Sequence, residues 1–482
     1  MLLAALLCAA AAARVWRPDL AQVGYDESAA ASLIGAWRYE GLFPLTGIVS
    51  SVGIPNPPAW PYLMALVVLP FDSPQALVWL GIAVGIVSTV LTWWVGRRWI
   101  GPWGGLTAAA VYAGGFWALL LGRSPWQPAF LQVPVLLCLD ALLVLAVQRR
   151  PWALAVACGW LGLMVQLHYI AAAYALLIPI AAWPARRALR PSHLLAAVLA
   201  AVLPLIPFLL YELHPAVRFR DVLFVAEQAT GSSRADLEAA RLLLTLAGNG
   251  GAAGLGGPNV AGLQALLGRW SSVGLIGVVL LAGGVLAGLA DGLRGRLIVA
   301  WLLLPIIVLA KHSLDVLFHY LYLDLPTLAL TIGLLGGWVA RRAWTLRGAL
   351  IASLGLYVSV SVATLVAVLS YVDQADSHLG YGMPLRFSVA AAQAARSVLP
   401  PGGQVVILGA PFEAEVVRFA IGYGVPSRII QSCAERTLDE RSVYVQMSEL
   451  DQRLAGTAVV PVMRVERPGD AYLIGTLCRG AR

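Results

Sequence analysis

The sequence predicts an α-helical polytopic membrane protein with about eleven transmembrane helices, followed by a small extracytoplasmic α/β domain. The 482-residue chain is 60% hydrophobic and only 12% charged, whereas about a quarter of the residues in a soluble domain are charged. Long apolar blocks recur up to about residue 370, and each is close to the length that spans a bilayer core. Charged residues then return, which indicates a separate soluble unit.

Arginine clusters between the apolar blocks predict the orientation of the chain. All of them obey the positive-inside rule when they are placed in the cytoplasm: Arg97-Arg98, Arg149-Arg150, Arg186-Arg187 with Arg190, Arg294 with Arg296, and Arg341-Arg342 with Arg347. The N terminus is then cytoplasmic and the C terminus is outside. The predicted spans are about 1–16, 75–95, 103–121, 127–147, 152–168, 169–184, 193–211, 270–290, 297–310, 319–340 and 348–370.

This topology predicts two units in a plasma or inner membrane protein. Residues 1–372 form a transmembrane domain whose outer loop, 17–74, contains interfacial helices, and residues 373–482 form a small soluble domain outside. The first block lacks a positively charged leader, so we interpret it as a first membrane helix and not as a cleaved signal peptide. The net charge of +8 does not indicate nucleic-acid binding, since the basic residues lie in the topology clusters.

The five cysteines show no CxxC spacing of the kind that binds metals. Cys433 and Cys478 are the only two outside the apolar blocks, and both fall in the domain placed outside. An oxidising compartment favours a disulfide between them, and the alternative is two buried free thiols.

Polar residues gather in the first outer loop. Tyr25-Asp26-Glu27 precedes an amphipathic stretch, and the run Ile54-Pro55-Asn56-Pro57-Pro58-Ala59-Trp60 leads into a short apolar stretch at 60–71. Both stretches predict helices that lie on the membrane surface. Asp26 also suits the N-cap of the first of these helices, where its carboxylate would accept free backbone N–H groups. A capping aspartate can still face a substrate, so the two roles are compatible.

This loop resembles that of the GT-C glycosyltransferases, and most of all the bacterial branch related to protein O-mannosyltransferases and aminoarabinose transferases. The shared features are an acidic pair after the first helix, an amphipathic helix and a Pro-Pro motif. Three further segments at predicted outer helix ends are similar to motifs of that branch: Leu121–Pro128, Gly162–His168 and Phe318–Leu321. The resemblance covers roughly residues 15 to 335.

The resemblance implies an inverting transferase that takes a sugar from a polyprenyl-phosphate donor in the membrane lipid. The acceptor is a protein, a glycolipid or a polysaccharide outside the cell. Asp26 is implied as the general base, and Glu27 as a residue that orients the acceptor or helps to hold a divalent metal. Arg123 is the best candidate to bind the phosphate, because its guanidinium matches phosphate oxygens, and Lys311, His168 and His319 are the other candidates. The structural alternatives are that Arg123 reaches the lipid head groups and that the two histidines only satisfy helix ends. The implied sugar or acceptor contacts are Asn56, Trp126, Gln127 and Tyr320.

The sequence also departs from the family pattern. Asn56 stands where the family often has a lysine before Pro-Pro, so another group must complete the phosphate site. Asp140, within a predicted span, needs a partner, and Trp160 at a similar depth is a candidate donor. Asp324, nearer the outer interface, is a further candidate for the site. Two alternatives stay open: a transporter or flippase of lipid-linked glycans, although the paired halves of a transporter are not evident, and a non-catalytic scaffold.

Overall fold

The computed structural model describes residues 2–50, 53–230, 234–312, 315–431, 441–448 and 458–479. The first helix, α1, spans Leu2–Val15. Two helices then lie in the first outer loop, α2 (Tyr25–Glu40) and α3 (Ala59–Phe71). The next helices are α4 (Pro74–Trp99), α5 (Pro102–Gly114), α6 (Phe116–Leu121), α7 (Gln127–Phe130), α8 (Gln132–Val147), α9 (Ala153–Leu167), α10 (Leu177–Ala182), α11 (Pro191–Val202) and α12 (Ile206–Glu212).

The second long loop contains short elements, and four longer helices follow. The loop elements are α13 (Arg220–Thr230), β1 (Arg234–Ala235), α14 (Glu238–Ala247) and α15 (Val260–Leu267). The later helices are α16 (Gly274–Ala290), α17 (Gly292–Leu309), α18 (Leu325–Val339) and α19 (Trp344–Val372). Between α17 and α18 lie β2 (Lys311–His312), which pairs antiparallel with β1, and a 3-10 turn, Phe318–Asp324.

The helices confirm a polytopic membrane protein. Each of the eleven predicted spans coincides with a helical segment, although several segments are interrupted. Within the described residues, six segments are long and apolar enough to cross a membrane as single helices: Pro74–Trp99, Gln127–Val147, Pro191–Glu212, Gly292–Leu309, Phe318–Val339 and Trp344–Val372. Helices are present at the two stretches predicted to be interfacial, as α2 and α3.

Glycines let the central helices approach one another closely. A Cβ on Gly105 of α5 would lie 2.6 Å from the backbone nitrogen of Arg97 in α4. A Cβ on Gly284 of α16 would lie 2.2 Å from the carbonyl oxygen of Thr331 in α18. Because lipid tails are as apolar as the helices, close packing of small residues is a main source of stability in such bundles.

The break between α5 and α6 is held by Arg14 of α1, which is fully buried. Its guanidinium donates to the carbonyl oxygens of Ala113 at 3.3 Å, Tyr112 at 3.5 Å and Ala118 at 3.3 Å. Tyr112 and Ala113 lie in the last turn of α5, just before the interruption at Gly115, where the carbonyls of a helix end need other donors. Arg14 therefore has a structural role that its sequence context did not indicate.

The partner of Asp140 differs from the prediction. Its carboxylate accepts hydrogen bonds from Nη1 of Arg98 at 2.7 and 3.0 Å and from Nε1 of Trp99 at 2.7 Å. The prediction that Trp160 is the partner is wrong, because the end of α4 places a cation beside the acid. An ion pair compensates a carboxylate at this depth better than a neutral donor does.

The C-terminal domain contains a five-stranded sheet with the strand order β4-β3-β5-β8-β7. Strands β3, β4 and β5 are parallel, while β5–β8 and β8–β7 are antiparallel pairs. Helices α20 (Leu385–Val398) and α21 (Pro411–Ile421) form a core with the sheet. The strands are β3 (Gln404–Leu408), β4 (Ser427–Ile430), β5 (Ser442–Gln446), β6 (Ala458–Val460), β7 (Met463–Arg467), β8 (Asp470–Gly475) and β9 (Leu477–Arg479).

The hydrophobic pattern of this domain predicts helices at 388–399 and 413–422 and strands at 404–409 and 471–475. All four are present, as α20, α21, β3 and β8. Cys478 is disulfide-bonded. Cys433, its predicted partner, lies outside the described residues.

Candidate active site

The first turn of α2 is capped by Glu27 and not by Asp26. The helix begins at Tyr25, and the extended Gly24 is the N-cap residue. Oε2 of Glu27 accepts a hydrogen bond from the backbone nitrogen of Gly24 at 2.7 Å, which is half of a capping box. The prediction that Asp26 caps the helix is therefore wrong, because the N-cap is Gly24, two residues before Asp26.

Burial of Glu27 affects its ionisation. Its side chain is almost fully enclosed, and burial, followed by the nearby Asp26 carboxylate, raises the pKa of Glu27 to about 8. One oxygen of this carboxyl, Oε2, is therefore occupied by the cap.

Asp26 is half-buried and has one free oxygen. Its Oδ2 accepts a hydrogen bond from Nε1 of Trp126 at 3.0 Å, while Oδ1 has no hydrogen-bond partner among the residues that the structure describes. Burial raises the pKa of Asp26, and the Trp126 hydrogen bond opposes that shift. The result is a fixed carboxylate with one oxygen available to take a proton.

Trp126, which bonds to this carboxylate, belongs to a connected group of four aromatic rings. The ring of His319 is 5.3 Å from Trp126, 5.7 Å from His168 and 4.7 Å from Tyr320, measured between centroids. Nδ1 of His168 accepts from the backbone nitrogen of Ile170 at 3.3 Å, so a neutral His168 has its proton on Nε2. In the described ranges, neither ring nitrogen of His319 has a hydrogen-bond partner.

The structure therefore brings together five residues that the sequence placed far apart. We call this set the site cluster: Asp26, Trp126, His168, His319 and Tyr320. The four ring-bearing members are half-buried, as is Asp26.

The Pro-Pro loop is tied to the same region by hydrogen bonds that the sequence did not predict. Nε1 of Trp60 donates to the carbonyl oxygen of Pro125 at 3.2 Å. Oε1 of Gln166 accepts from the backbone nitrogen of Ala59 at 3.2 Å, and the Tyr169 hydroxyl donates to the carbonyl oxygen of Pro55 at 2.8 Å. The sequence signal that could have indicated the Gln166 contact is the Q-x-H spacing, which places Gln166 at the end of a helix, near His168.

Gln127 makes a contact through its side chain, whereas the described contacts of Asn56 are made by its backbone. Gln127 is buried, and its side-chain amide donates to the carbonyl oxygen of Leu167, so it fixes the end of α9. Asn56 is half-buried. Its backbone nitrogen donates to the carbonyl oxygen of Ile48 at 2.8 Å, and its own carbonyl oxygen accepts from Gly47 at 2.6 Å.

Arg123 is buried and contacts the segment that precedes α2. Its Nη2 donates to the carbonyl oxygen of Arg17 at 2.6 Å, whereas Nε and Nη1 are buried without a partner among the described residues. Burial lowers the pKa of Arg123. Two nitrogens of this cation, Nε and Nη1, are thus available to an anion that reaches them.

Lys311 and Asp324 make contacts with residues outside the site cluster. Lys311 is exposed in β2, where its backbone is paired with Ala235. Asp324 is fully buried and accepts a hydrogen bond from the Tyr174 hydroxyl at 2.7 Å.

The residues described here do not form an evident metal site. Throughout the described ranges there is no group of three or more His, Cys, Asp or Glu side chains placed to hold a metal ion. Oε2 of Glu27, the metal ligand implied by the family resemblance, accepts a hydrogen bond from the backbone nitrogen of Gly24.

Comparison with solved structures shows which fold this is. ArnT from Cupriavidus metallidurans bound to undecaprenyl phosphate superposes with a TM-score of 0.63 at 12% identity, over 99% of this chain and 97% of that one. Its apo state gives a TM-score of 0.61 at 12% identity with the same coverage. An oligosaccharyltransferase from Archaeoglobus fulgidus gives 0.48 at 12% identity, over 89% of this chain and 62% of that one.

These similarities are structural and not evident in sequence. No protein-family model matches the chain, and no curated protein sequence matches it. The chain has the GT-C fold that its short motifs predicted.

Proposed function

We propose that this protein is a membrane glycosyltransferase that moves a sugar from a polyprenyl-phosphate carrier to an extracytoplasmic acceptor. The observation that supports it most is the Asp26 carboxylate, which is half-buried, held through Oδ2 by Trp126 and, among the described residues, unpartnered at Oδ1. The fold shared with ArnT, which was crystallised with undecaprenyl phosphate, supports the class of donor. The acceptor is a protein, a glycolipid or a polysaccharide.

The proposed reaction is a single displacement at C1 of the sugar. Oδ1 of Asp26 takes the proton of the acceptor hydroxyl while the acceptor oxygen attacks C1. The bond between C1 and the phosphate oxygen breaks, and polyprenyl phosphate leaves with the electron pair. Attack from the face opposite the phosphate inverts the configuration at C1.

The departing phosphate needs donors that stabilise its growing negative charge. His168 and His319 are proposed for this, since they lie in the site cluster and His319 has both ring nitrogens free of protein partners within the described ranges. Arg123 is proposed as the cation that binds the phosphate. Its guanidinium matches phosphate oxygens, and its Nε and Nη1 are buried without a partner among the described residues. Lys311, exposed on β2, is proposed to attract the anionic donor to the site.

Glu27 is proposed to act through Asp26. By closing the first turn of α2 it fixes the backbone that carries the neighbouring base, so its contribution is positional. Trp126, Tyr320 and Asn56 are proposed to contact the sugar or the acceptor. Gln127 would act indirectly, by holding the end of α9 next to His168.

The proposed location is the plasma or inner membrane, with the N terminus in the cytoplasm and the C-terminal domain outside. The arginine clusters support this orientation through the positive-inside rule.

Lipid analysis of a deletion strain tests the function whichever sugar is transferred. We expect mass spectrometry to show accumulation of a polyprenyl-phosphate-linked sugar, which disappears on complementation with the wild-type gene but not with Asp26→Asn. Purified protein in vesicles that contain this lipid should then transfer its sugar to an acceptor. Movement of the intact lipid across the bilayer, with no loss of sugar, would instead indicate a flippase.

A further inference from the structure

The C-terminal domain contacts the helix that contains Asp26. Tyr423, two residues after the end of α21, donates its hydroxyl to the carbonyl oxygen of Ser28 in α2 at 2.9 Å. Its ring lies against Gly35, where an added Cβ would be 2.9 Å from Cγ of Tyr423. The ring thus occupies the space that any larger residue at Gly35 would need.

These contacts lie on the side of α2 opposite the site cluster. Ser28 and Gly35 are seven residues apart, which places them on one face of an α-helix. Asp26 is two residues before Ser28, a rotation of about 200° around the helix axis. Tyr423 therefore presses on one face of α2 while Trp126 holds the carboxylate on the other.

The Tyr423 side chain is itself fixed within the C-terminal domain. Its ring stacks on Phe419 with centroids 5.6 Å apart, and the Arg418 guanidinium lies 5.6 Å from the ring centroid. Gly422 precedes it with φ of 89°, a conformation that favours glycine, and lets the chain turn towards α2. Burial holds the pKa of Tyr423 well above its ordinary value, so the hydroxyl remains a donor.

A second contact joins the same two units at the far end of α2. Oδ2 of Asp72, directly after α3, accepts from the backbone nitrogen of Gly424 at 3.3 Å and from the Tyr39 hydroxyl at 3.4 Å. Tyr39 belongs to the last turn of α2, so both ends of this helix are tied to the segment that follows α21.

We propose that Tyr423 is a positioning residue of the transferase, through which the C-terminal domain holds α2 so that Asp26 keeps its hydrogen bond to Trp126. This rests on the proposed role of Asp26 as the base. The domain is then part of the catalytic unit, because a displacement of α2 by a fraction of a turn would turn the carboxylate away from the acceptor.

Two variants disturb this contact in different ways. Tyr423→Phe removes only the hydroxyl that bonds to Ser28. Gly35→Ala displaces the Tyr423 ring but favours the helix itself, since alanine is a better helix former than glycine. Loss of helix stability would therefore not explain a loss of activity in this variant. The matched controls are Gly355→Ala in α19, where an added Cβ meets open space, and Tyr371→Phe, whose hydroxyl donates to the carbonyl oxygen of Asn259 at 3.0 Å.

Turnover and its pH dependence are the first readouts. We expect kcat to fall by about tenfold or more in both variants, the scale of a displaced catalytic group, with the KM for the donor changed less than twofold. The acid limb of kcat should move to higher pH, because the Trp126 hydrogen bond that lowers the pKa of Asp26 is weakened. An unchanged acid limb in both variants would overturn the proposal, even if kcat fell.

Hydrogen exchange of the α2 amides provides a readout that does not depend on activity. Exchange at residues 28–35 should be faster in Tyr423→Phe and Gly35→Ala than in the wild type, and unchanged in both controls. Exchange that matches the wild type in both variants would overturn the proposed contact. If the wild-type protein transfers no sugar while the exchange result holds, the function assigned to Asp26 fails and the contact between the domain and α2 stands.

Discussion

Replacing Trp126 with phenylalanine tests whether its hydrogen bond keeps Asp26 ionised. The substitution removes the indole N–H that donates to Oδ2 at 3.0 Å and keeps an aromatic ring beside His319. A hydrogen bond to a charged group contributes about 1.5–3 kcal/mol, and Asp26 is only half-buried, so we take the lower end. Since about 1.4 kcal/mol corresponds to a factor of ten, the ionised fraction of Asp26 should fall by about tenfold at low pH.

The assay is kcat/KM as a function of pH. Below the acid limb, Trp126→Phe should be about tenfold slower than the wild type, and the two rates should converge as the pH rises and both carboxylates ionise. Trp117→Phe is the matched control, because its indole also donates a hydrogen bond, to the carbonyl oxygen of Gly250 at 3.1 Å. A Trp126→Phe enzyme that is slower by the same factor at every pH would refute the reasoning.

Three further predictions concern the cap, the ion pair and the orientation. The pKa of Glu27 is raised from 4.5 to about 8 in the folded protein, so the wild type loses stability as the pH rises between these two values. Glu27→Gln has no charge to bury. It should melt at the same temperature as the wild type at pH 4 and at a higher temperature at pH 9. Asp140→Asn breaks the pair with its arginine partner and should lower the free energy of unfolding by about 1–3 kcal/mol, measured by thermal unfolding in detergent; no loss would show the pair to be dispensable. With Cys8 replaced by serine, an impermeant thiol reagent should label a cysteine at Leu379 and not one at Arg150 in intact cells, and the reverse pattern would invert the topology.

The membrane fold was largely predictable from the sequence. A chain in lipid must satisfy its backbone hydrogen bonds internally, so long apolar blocks can form only helices. The amphipathic stretch that became α2 and the apolar stretch that became α3 were equally clear. Because the topology placed Asp26, Trp126, His168 and His319 at one end of the bundle, their assembly into a cluster could be anticipated.

The details of single side chains could not be predicted. Whether Asp26 or Glu27 caps α2 depends on where the helix begins, and its N-cap is Gly24, two residues before the predicted one. Asp140 pairs with Arg98 and Trp99 because of how α4 packs on α8. Such partners depend on which segments pack together although they are far apart in sequence. A single sequence gives no direct signal of that packing.

The contacts of Arg14 and Tyr423 were also beyond the sequence. Arg14 looks like an isolated charge in an alanine-rich helix, yet it bonds to carbonyls about a hundred residues later. Tyr423 meets Gly35 across almost the whole chain. Both roles follow from tertiary packing.

The central claim is that the Asp26 carboxylate is the base in sugar transfer. Asp26→Asn is nearly isosteric, and because Glu27 makes the cap, it leaves the helix start intact. We predict that the purified variant, with unchanged thermal stability, transfers sugar from a polyprenyl-phosphate donor at least ~100-fold more slowly than the wild type. Transfer by the folded variant at close to the wild-type rate would contradict this claim.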